Sequence, residues 1–481
     1  MKEISVKRNF VYNTFYQILT LLTPLVTAPY VSRVLGAAGV GTYSYTISIQ
    51  MYFSLFVALG TASYGMNTIA KARDDKKKCS KLFWEIEFMT LFTTFICLII
   101  WGIFIWSSNQ YKTYFYILTL CLLATLFDIS WFYSGLEQFK LIVIRNSIVK
   151  IISITAIFCF VKKKEDLGLY ILIYALGMLI GNLSMWTFLS KYVDKVEIKS
   201  LNVLPHLKET LVYFVPTIAT SLYTLLDKAL IGVITNDLYE NGYYEQATKI
   251  INMCKSVSFT AINTVMGARI SYLYSNNNIN EIKIRIEKSL SYILLMGYAC
   301  MFGLIGISSN FVPIFFGDGY TNVIYLLYIF SPIILIIGVS NCLGAQYYTP
   351  SGKRALSAKF IIVGSLINLF LNLLLIPSLG AYGAAIASII AETIITVLYL
   401  HFCKKMITFL LILKYSWKRI ISGVIMLCFL MLISDISKYI FVTLLMQIVL
   451  GGVIYFVILF VLNDELVFNF TIKVFNRLKG R

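Results

Sequence analysis

An all-α protein that crosses a membrane many times is the fold class this sequence predicts, and three observations predict it. The 481 residues are 59% hydrophobic and 13% charged, with a mean hydropathy of +0.79. That is more apolar surface than a water-soluble chain of this size can bury. The apolar residues fall in runs of about 20, the length of a helix that spans hydrocarbon. Basic residues gather in every second connection between those runs, the positive-inside pattern. Backbone that faces lipid must satisfy its own hydrogen bonds, so the runs are helices.

At about 20 residues each there are about fourteen spans. They are 10–31, 42–65, 82–106, 113–134, 141–161, 168–190, 211–232, 245–267, 289–309, 323–344, 357–376, 382–402, 418–434 and 438–462. The net charge of +18 follows this topology and does not point to nucleic acid. Clusters from Lys71 to Lys81, Lys191 to Lys208, Lys283 to Lys288, Lys353 to Lys359, Lys404 to Arg419 and Lys473 to Arg481 share one side with Lys2, Lys7 and Arg8. Both termini are then cytoplasmic. The exception is Lys162–Lys163–Lys164, which falls outside and is followed by Glu165 and Asp166. The run after Lys7 and Arg8 continues without an A-x-A-like site, so it reads as the first span and not as a cleaved signal. The nine cysteines show no C-x-x-C or metal-ligand spacing and read as small apolar residues. His206 and His401, isolated near span ends, read as structural or interfacial.

Polar residues inside the spans carry the functional information. Span 1 holds Asn13, Gln17, Thr20, Pro24 and Thr27 at helical spacing, and Pro24 and Pro29 are expected to kink or end it. Span 4 holds Asp128; span 5 holds Lys150, with Arg145 near its cytoplasmic end. In span 7, PTIATSLYTLLDKALIG, residues Thr217, Thr220, Thr224 and Asp227 recur every three or four positions and share a helix face. Lys228 is rotated about 100° from that face. A charge at membrane depth costs roughly 3 kcal/mol, which marks function by default, against the alternative of an interhelical hydrogen-bonding face with a snorkelling lysine. Span 8 presents Lys249, Asn252, Ser256, Thr260 and Asn263 on one face with Lys255 at its margin, lining a cavity or a helix seam. Span 11 has Asn368 and Asn372 one turn apart. The chain then turns through Pro377 and GAYGAA into span 12, with Ser388 and Glu392. Asp227, Asn368, Asn372 and Ser388 fall in the outer half of the membrane. They offer oxygen ligands to a monovalent cation, or act as ordinary polar glue between helices.

An internal echo organises the chain. GTYSYTISI (Gly41 to Ile49) resembles GYYEQATKI (Gly242 to Ile250), and SGLEQFK (from Ser134) is placed as SGKRALS (from Ser351) is. Six-span halves of equal orientation imply parallel repeats about an axis along the membrane normal, with a path between them. The division is an N-terminal six-helix lobe over 1–200, a second lobe over 201–405, and two additional helices with a tail over 406–481. The sequence has no G-x-x-x-x-G-K-[ST], no H-E-x-x-H, no nucleophile elbow and no soluble stretch long enough to bind a nucleotide sugar, so no enzyme is expected.

Several stretches together resemble a known family. PYVSRVLGAAGVGTY, WFYSGLEQFK, LDKALIG, GYYEQATKI and NCLGAQYYTPSGKRALSAKFIIVGSLINLFLNLLLIPSLGAYGAAIASIIAE, in order between about residues 8 and 405, resemble the Wzx-type oligosaccharide flippases. These form the polysaccharide branch of the MOP superfamily, which also holds lipid II flippases and MATE exporters. The resemblance implies two six-helix lobes around a V-shaped cavity and alternating access. It implies that undecaprenyl-diphosphate-linked repeat units move from the inner to the outer leaflet of a bacterial plasma membrane, for capsule, O-antigen or similar polysaccharide. In related flippases helices 1, 2, 7 and 8 line a cationic cavity; here those helices hold Arg33, Lys228, Lys249, Asn252 and Lys255, with Lys150 nearby. The resemblance implies Na+ or H+ as coupling ion and no other cofactor. Some superfamily relatives bind sodium between helices 7, 11 and 12, which Asp227, Asn368, Asn372 and Ser388 match by helix and spacing; Asp128 is a further ion-coupling candidate. The implied partners are the lipid-linked oligosaccharide, membrane lipids, and the polysaccharide polymerase and chain-length machinery. Two other classes are an exporter of small organic cations, for which an acidic cavity is expected, and a non-transporting scaffold for glycan-synthesis enzymes, which does not need lysines at membrane depth.

Overall fold

A computed structural model describes the backbone of residues 6–276, 278–404 and 406–478. The side chains of 6–18, 198, 215–217, 219, 220, 222–224, 261, 264, 265, 268, 275 and 473–478 are not described. The predicted positions Asn13, Gln17, Thr217, Thr220 and Thr224 therefore lie outside the described residues. Among the described residues every regular element is a helix. In chain order these are α1 (Val6–Ala58), α2 (Thr61–Ala72), α3 (Lys76–Ser107), α4 (Lys112–Leu126), α5 (Ser130–Gly135), α6 (Phe139–Phe160), α7 (Leu167–Trp186) and α8 (Leu204–Thr235). There follow α9 (Leu238–Lys255), α10 (Ala261–Ser275), α11 (Ile279–Phe316), α12 (Thr321–Phe330), α13 (Ile333–Leu343), α14 (Arg354–Phe402), α15 (Phe409–Leu432), α16 (Ile440–Val461) and α17 (Glu465–Leu478).

Nine helical stretches among the described residues are long and apolar enough to cross a membrane, and a tenth is the pair α12–α13, bent by 44°. Two of the nine, Leu19–Ala72 and Arg354–Phe402, have 54 and 49 residues. At about 1.5 Å per residue each is more than twice the depth of hydrocarbon. Each contains a residue outside helical geometry, Gly36 (φ 69, ψ 174) and Gly380 (φ 54, ψ −131). Here the expectation for the prolines is corrected. The first helix runs through Pro24 and Pro29 and departs from helical geometry at Gly36, as α14 runs through Pro377 and departs at Gly380. Proline deletes one helical hydrogen bond but keeps a helical φ, whereas only glycine reverses the sign of φ without strain.

The outer surface is that of a multi-pass membrane protein. Along α3, Phe92, Phe95, Ile99, Ile103 and Trp106 recur every three or four residues and are all exposed, Trp106 by 81%. Water would not tolerate that stripe; lipid does.

The chain divides into two compact units, Met1–Gly242 and Tyr243–Arg481. In the first, Trp101, Phe115, Leu118 and Ile171 form one core among α1, α3, α4 and α7, and Phe83, Trp131 and Phe132 form another among α2, α3 and α5. The start of α8 is tied to this second core through His206, which is buried. Its Nδ1 is 2.6 Å from Tyr64 Oη and its Nε2 is 2.9 Å from Glu85 Oε2, while Glu85 Oε1 accepts the Asn202 N–H at 2.8 Å. Within the same unit two backbones come unusually close. A Cβ on Gly41 would stand 1.7 Å from the Leu238 carbonyl oxygen, and one on Gly242 would stand 2.1 Å from that of Ala37. Each glycine thus meets the carbonyl four residues before the other.

In the second unit Tyr348, Phe360 and Tyr399 centre one core, and Leu430, Tyr455 and Leu459 centre another that docks α15 and α16 on α11. Arg419 of α15, 1% exposed, holds this second group together. Its Nε donates to Asp464 Oδ2 at 3.1 Å and its Nη2 to Ser291 Oγ at 2.8 Å.

Candidate functional site

The first unit encloses a cavity of about 660 Å³. Its wall is built by helical spacing. On α6, Ile142, Arg145, Asn146, Val149, Lys150, Ser153 and Ile157 fall on one face. Opposite stand Thr20, Thr23, Pro24, Thr27 and Tyr43 of α1, and Tyr170, Tyr174 and Asn182 of α7. Asp128 and Ser130 close it where the fourth predicted span is interrupted: α4 ends at Leu126 and α5 begins at Ser130. Backbone groups at this break are satisfied from α7, since Asn182 Nδ2 donates to the Ala124 carbonyl at 2.6 Å and Trp186 Nε1 to that of Phe127 at 3.0 Å. Asp128 Oδ1 accepts the Ser130 N–H at 3.0 Å. Irregular backbone at membrane depth is tolerated where it is buried in protein or lines a cavity.

Two cations and one carboxylate share this wall. Arg145 Nη1 donates to Asn182 Oδ1 at 2.7 Å, and Lys150 Nζ to Thr20 Oγ1 at 3.1 Å. Tyr43 makes edge contacts with Tyr170 and Tyr174, at ring-centroid distances of 5.0 and 5.9 Å. The chemistry on offer is recognition: a guanidinium and an ammonium for an anion, amides and hydroxyls for polar groups, and ring faces for an apolar edge.

Of the residues singled out in the sequence, Thr20, Pro24, Thr27, Asp128, Arg145 and Lys150 line this cavity together. Arg33 is exposed on α1 and is not part of the wall. Asp227 of α8 is 4% exposed and lies in charge range of Tyr52 of α1. Lys228 beside it is half-buried, and its carbonyl accepts from Asn241 Nδ2 at 2.7 Å. In the second unit Lys249 Nζ is 3.3 Å from Glu245 Oε1 one turn away, and Asn252 is exposed. Lys255 ends α9 in charge range of Glu392, just before a π-helical turn at Ser256–Thr260. The far end of that polar stripe is a helix seam, with Asn263 accepting from Gln346 Nε2 at 2.8 Å and donating to Asn341 Oδ1 at 2.7 Å.

Asn368, Asn372 and Ser388 do converge. Asn372 Nδ2 donates to Asn368 Oδ1 at 3.1 Å, and Asn368 Nδ2 to Ser388 Oγ at 3.4 Å, all three buried. Amide and hydroxyl oxygens suit a hard cation, while these same bonds link the two legs of α14 on either side of Gly380. Asp227 belongs to the other unit. The sequence reading passed over the aromatic and amide side of the first cavity. Asn146 and Ser153 were detectable from their spacing around Lys150 and Arg145. Asn182, Tyr170 and Tyr174 had no such signal, because α7 is apolar around them.

Comparison with known proteins agrees with this architecture. The model of the family described as "Polysaccharide biosynthesis protein" matches residues 6–267. A putative O-antigen transporter of Escherichia coli (strain K12) is 27% identical over 413 residues, which cover 84% of this chain and 97% of that protein. Another, from Shigella dysenteriae, is 24% identical over 390 residues, covering 80% and 96%. Among solved structures, that of the lipid II flippase MurJ in an inward closed conformation superposes with a TM-score of 0.73 at 18% identity, covering 95% of this chain and 99% of that one. The fold is that of the lipid II flippase structure, and the chain belongs to the polysaccharide biosynthesis protein family.

Proposed function

We propose that this protein is a flippase that moves undecaprenyl-diphosphate-linked oligosaccharide repeat units from the inner to the outer leaflet of a bacterial plasma membrane. The observation that supports this best is the cavity bearing Arg145 and Lys150 inside a family whose matched relatives carry the name O-antigen transporter. The diphosphate seeks cations away from bulk water, the sugars seek amides, hydroxyls and aromatic edges, and the polyprenyl tail stays in lipid. Lys228, Lys249 and Lys255 extend the basic character along α8 and α9, with Arg33 at the outer end of the path. The transport cycle is alternating access by two six-helix lobes, 1–200 and 201–405, carried on fourteen spans with both termini cytoplasmic. Differential binding of the anionic head group to the two states must supply the coupling. Asn368, Asn372 and Ser388 would offer oxygen ligands to a sodium ion, which would supply a positive charge whose binding biases the cycle, with Asp227 a separate ion-coupling residue. The polymerase and chain-length machinery that receive the product would act beside it.

The test is reconstitution into proteoliposomes with a labelled polyprenyl-diphosphate oligosaccharide, scoring protection from an external glycan-modifying reagent, with and without a sodium gradient. Protein-dependent movement is expected. Lys249→Ala combined with Lys255→Ala should cut movement while protein abundance is unchanged, and normal transport in that variant would remove those lysines from the site. Gradient-driven movement of small organic cations, with none of the lipid-linked glycan, would replace the flippase reading by an exporter.

A further inference from the structure

Two cysteines stand apart from the rest. Of the nine, five are buried and two are exposed, whereas Cys254 of α9 and Cys300 of α11 are half-buried. Both belong to the second unit, and their thiols are hydrogen-bonded to each other. A second contact fixes the same juxtaposition. Ser258, one turn after Cys254 and on the same helix face, is fully buried, and its Oγ donates to Cys300 Sγ at 3.5 Å. Phe259 beside it packs in a core with Ile293 and Leu294 of α11. Cys254 adjoins Lys255 and the π-helical turn Ser256–Thr260, where α9 gives way to α10. Asn252 and Val257 on either side of it are exposed, so small solutes reach this stretch.

We propose that Cys254 and Cys300 form a reversible disulfide, a redox modification site that pins the end of α9 to α11. The oxidant is hydrogen peroxide, small and uncharged enough to reach membrane depth. Cys300, whose sulfur accepts from Ser258, attacks first as the thiolate. An S–O bond forms, the O–O bond breaks, and the leaving hydroxide takes up the thiol's proton as water. The Cys254 sulfur then attacks the sulfenic acid on Cys300. An S–S bond forms, the S–O bond breaks, and the second hydroxide leaves as water with the Cys254 proton. Two thiols thus lose two electrons to one peroxide, which is reduced to two waters. Thiol–disulfide exchange with an external dithiol reverses the step. Closing the sulfurs to about 2.05 Å draws α9 towards α11, and the π turn, where the regular hydrogen-bond ladder is interrupted, is where the helix yields. The bond then holds the end of α9, with Lys255, against α11. Its effect on transport, though not the bond itself, rests on the flippase reading.

The full-length protein in lipid is treated with hydrogen peroxide, alkylated, digested and read by mass spectrometry. Cys254 and Cys300 should lose alkylation together, a peptide pair joined through them should appear, and dithiothreitol should restore both thiols. Both thiols still alkylated after peroxide overturns the proposal. So does either sulfur joined to another cysteine, or ending as a sulfinic acid instead of the disulfide. The wild type by itself decides these outcomes. In Cys254→Ala the joined pair should be absent and Cys300 should be trapped by dimedone as its sulfenic acid. Movement of the labelled polyprenyl-diphosphate oligosaccharide is then compared in proteoliposomes. It should fall in the oxidised wild type, recover with dithiothreitol, and be indifferent to peroxide in Cys254→Ala. Unchanged movement in protein shown to be cross-linked overturns the effect on transport, as does equal slowing of Cys254→Ala. Movement in neither the oxidised nor the reduced wild type counts against the flippase reading while the disulfide stands.

Discussion

Replacing Arg419 by alanine should destabilise the second unit more than any surface charge change could. The side chain is 1% exposed and its partner Asp464 is 5% exposed. The guanidinium donates to both carboxylate oxygens, at 3.1 and 3.5 Å, and to the carbonyl and hydroxyl of Ser291. Without it Asp464 keeps only the N–H groups of Leu466 and Val467, at 3.1 and 3.4 Å, and no cation. Breaking a buried pair from one side costs about 3–5 kcal/mol, on the order of a hundred- to several-thousand-fold in the folding equilibrium at about 1.4 kcal/mol per decade. Thermal unfolding of the purified protein, followed by intrinsic fluorescence, reads this directly. Arg419→Ala and Asp464→Ala should each lower the midpoint by several degrees. Arg419→Met with Asp464→Leu should recover much of the loss, because a matched apolar pair leaves no orphaned charge. Singles that melt with the wild type, or a double that loses the sum of both, would refute the reasoning.

In the first cavity, Arg145→Gln and Lys150→Gln should each weaken head-group binding by about 1.5–3 kcal/mol, roughly ten- to a hundred-and-fiftyfold, measured with a soluble prenyl diphosphate. Arg145→Lys should keep part of the charge effect but lose the bond to Asn182. Gly41→Ala and Gly242→Ala should each destabilise by about 1–3 kcal/mol in thermal unfolding, since backbone must move to admit the methyl. At the loop after α6, Asp166 Oδ2 accepts the N–H of Lys162 at 2.8 Å and of Lys163 at 3.0 Å, and the bond from Lys162 does most to hold this carboxyl below its ordinary 3.8. A depressed carboxyl stabilises above its ordinary value and loses that contribution as pH falls below it. Hydrogen exchange at Lys162 and Lys163, corrected for intrinsic rate, should therefore quicken below about pH 3.8, and Asp166→Asn should quicken it at neutral pH.

Much of this molecule is legible in the sequence because a bilayer leaves few options. Apolar runs had to become helices, and the predicted spans fall on helical residues, though the second, fourth, eighth and tenth run across a break between two helices. Lys150 and Asp128 announced themselves as charges where charge is costly, and the structure brings both to one cavity. Glu87 drew no notice: it lies at the start of the third predicted span, a few residues after a basic cluster, and only the folded helix shows that it is turned inward. The second break was marked by Pro377 and the GAYGAA run that opens on Gly380, whereas the first was assigned to Pro24 and Pro29 and lies at Gly36, because a sequence shows which hydrogen bonds are lost but not where φ changes sign. Asn182 could not be weighed from spacing, since its value comes from facing a broken helix elsewhere in the chain.

The meeting of Gly41 with Gly242 bears on how the chain came to have its present sequence. These residues open the two stretches that echo one another, and each abuts the segment just ahead of the other. A duplicated gene can let its two copies drift apart wherever they touch different neighbours. Where the copies touch each other, a larger side chain in either meets the same obstruction, so both are held to glycine by one constraint. The two similar stretches thus meet where the molecule is its own neighbour, and an internal echo of this kind becomes a map of self-contact.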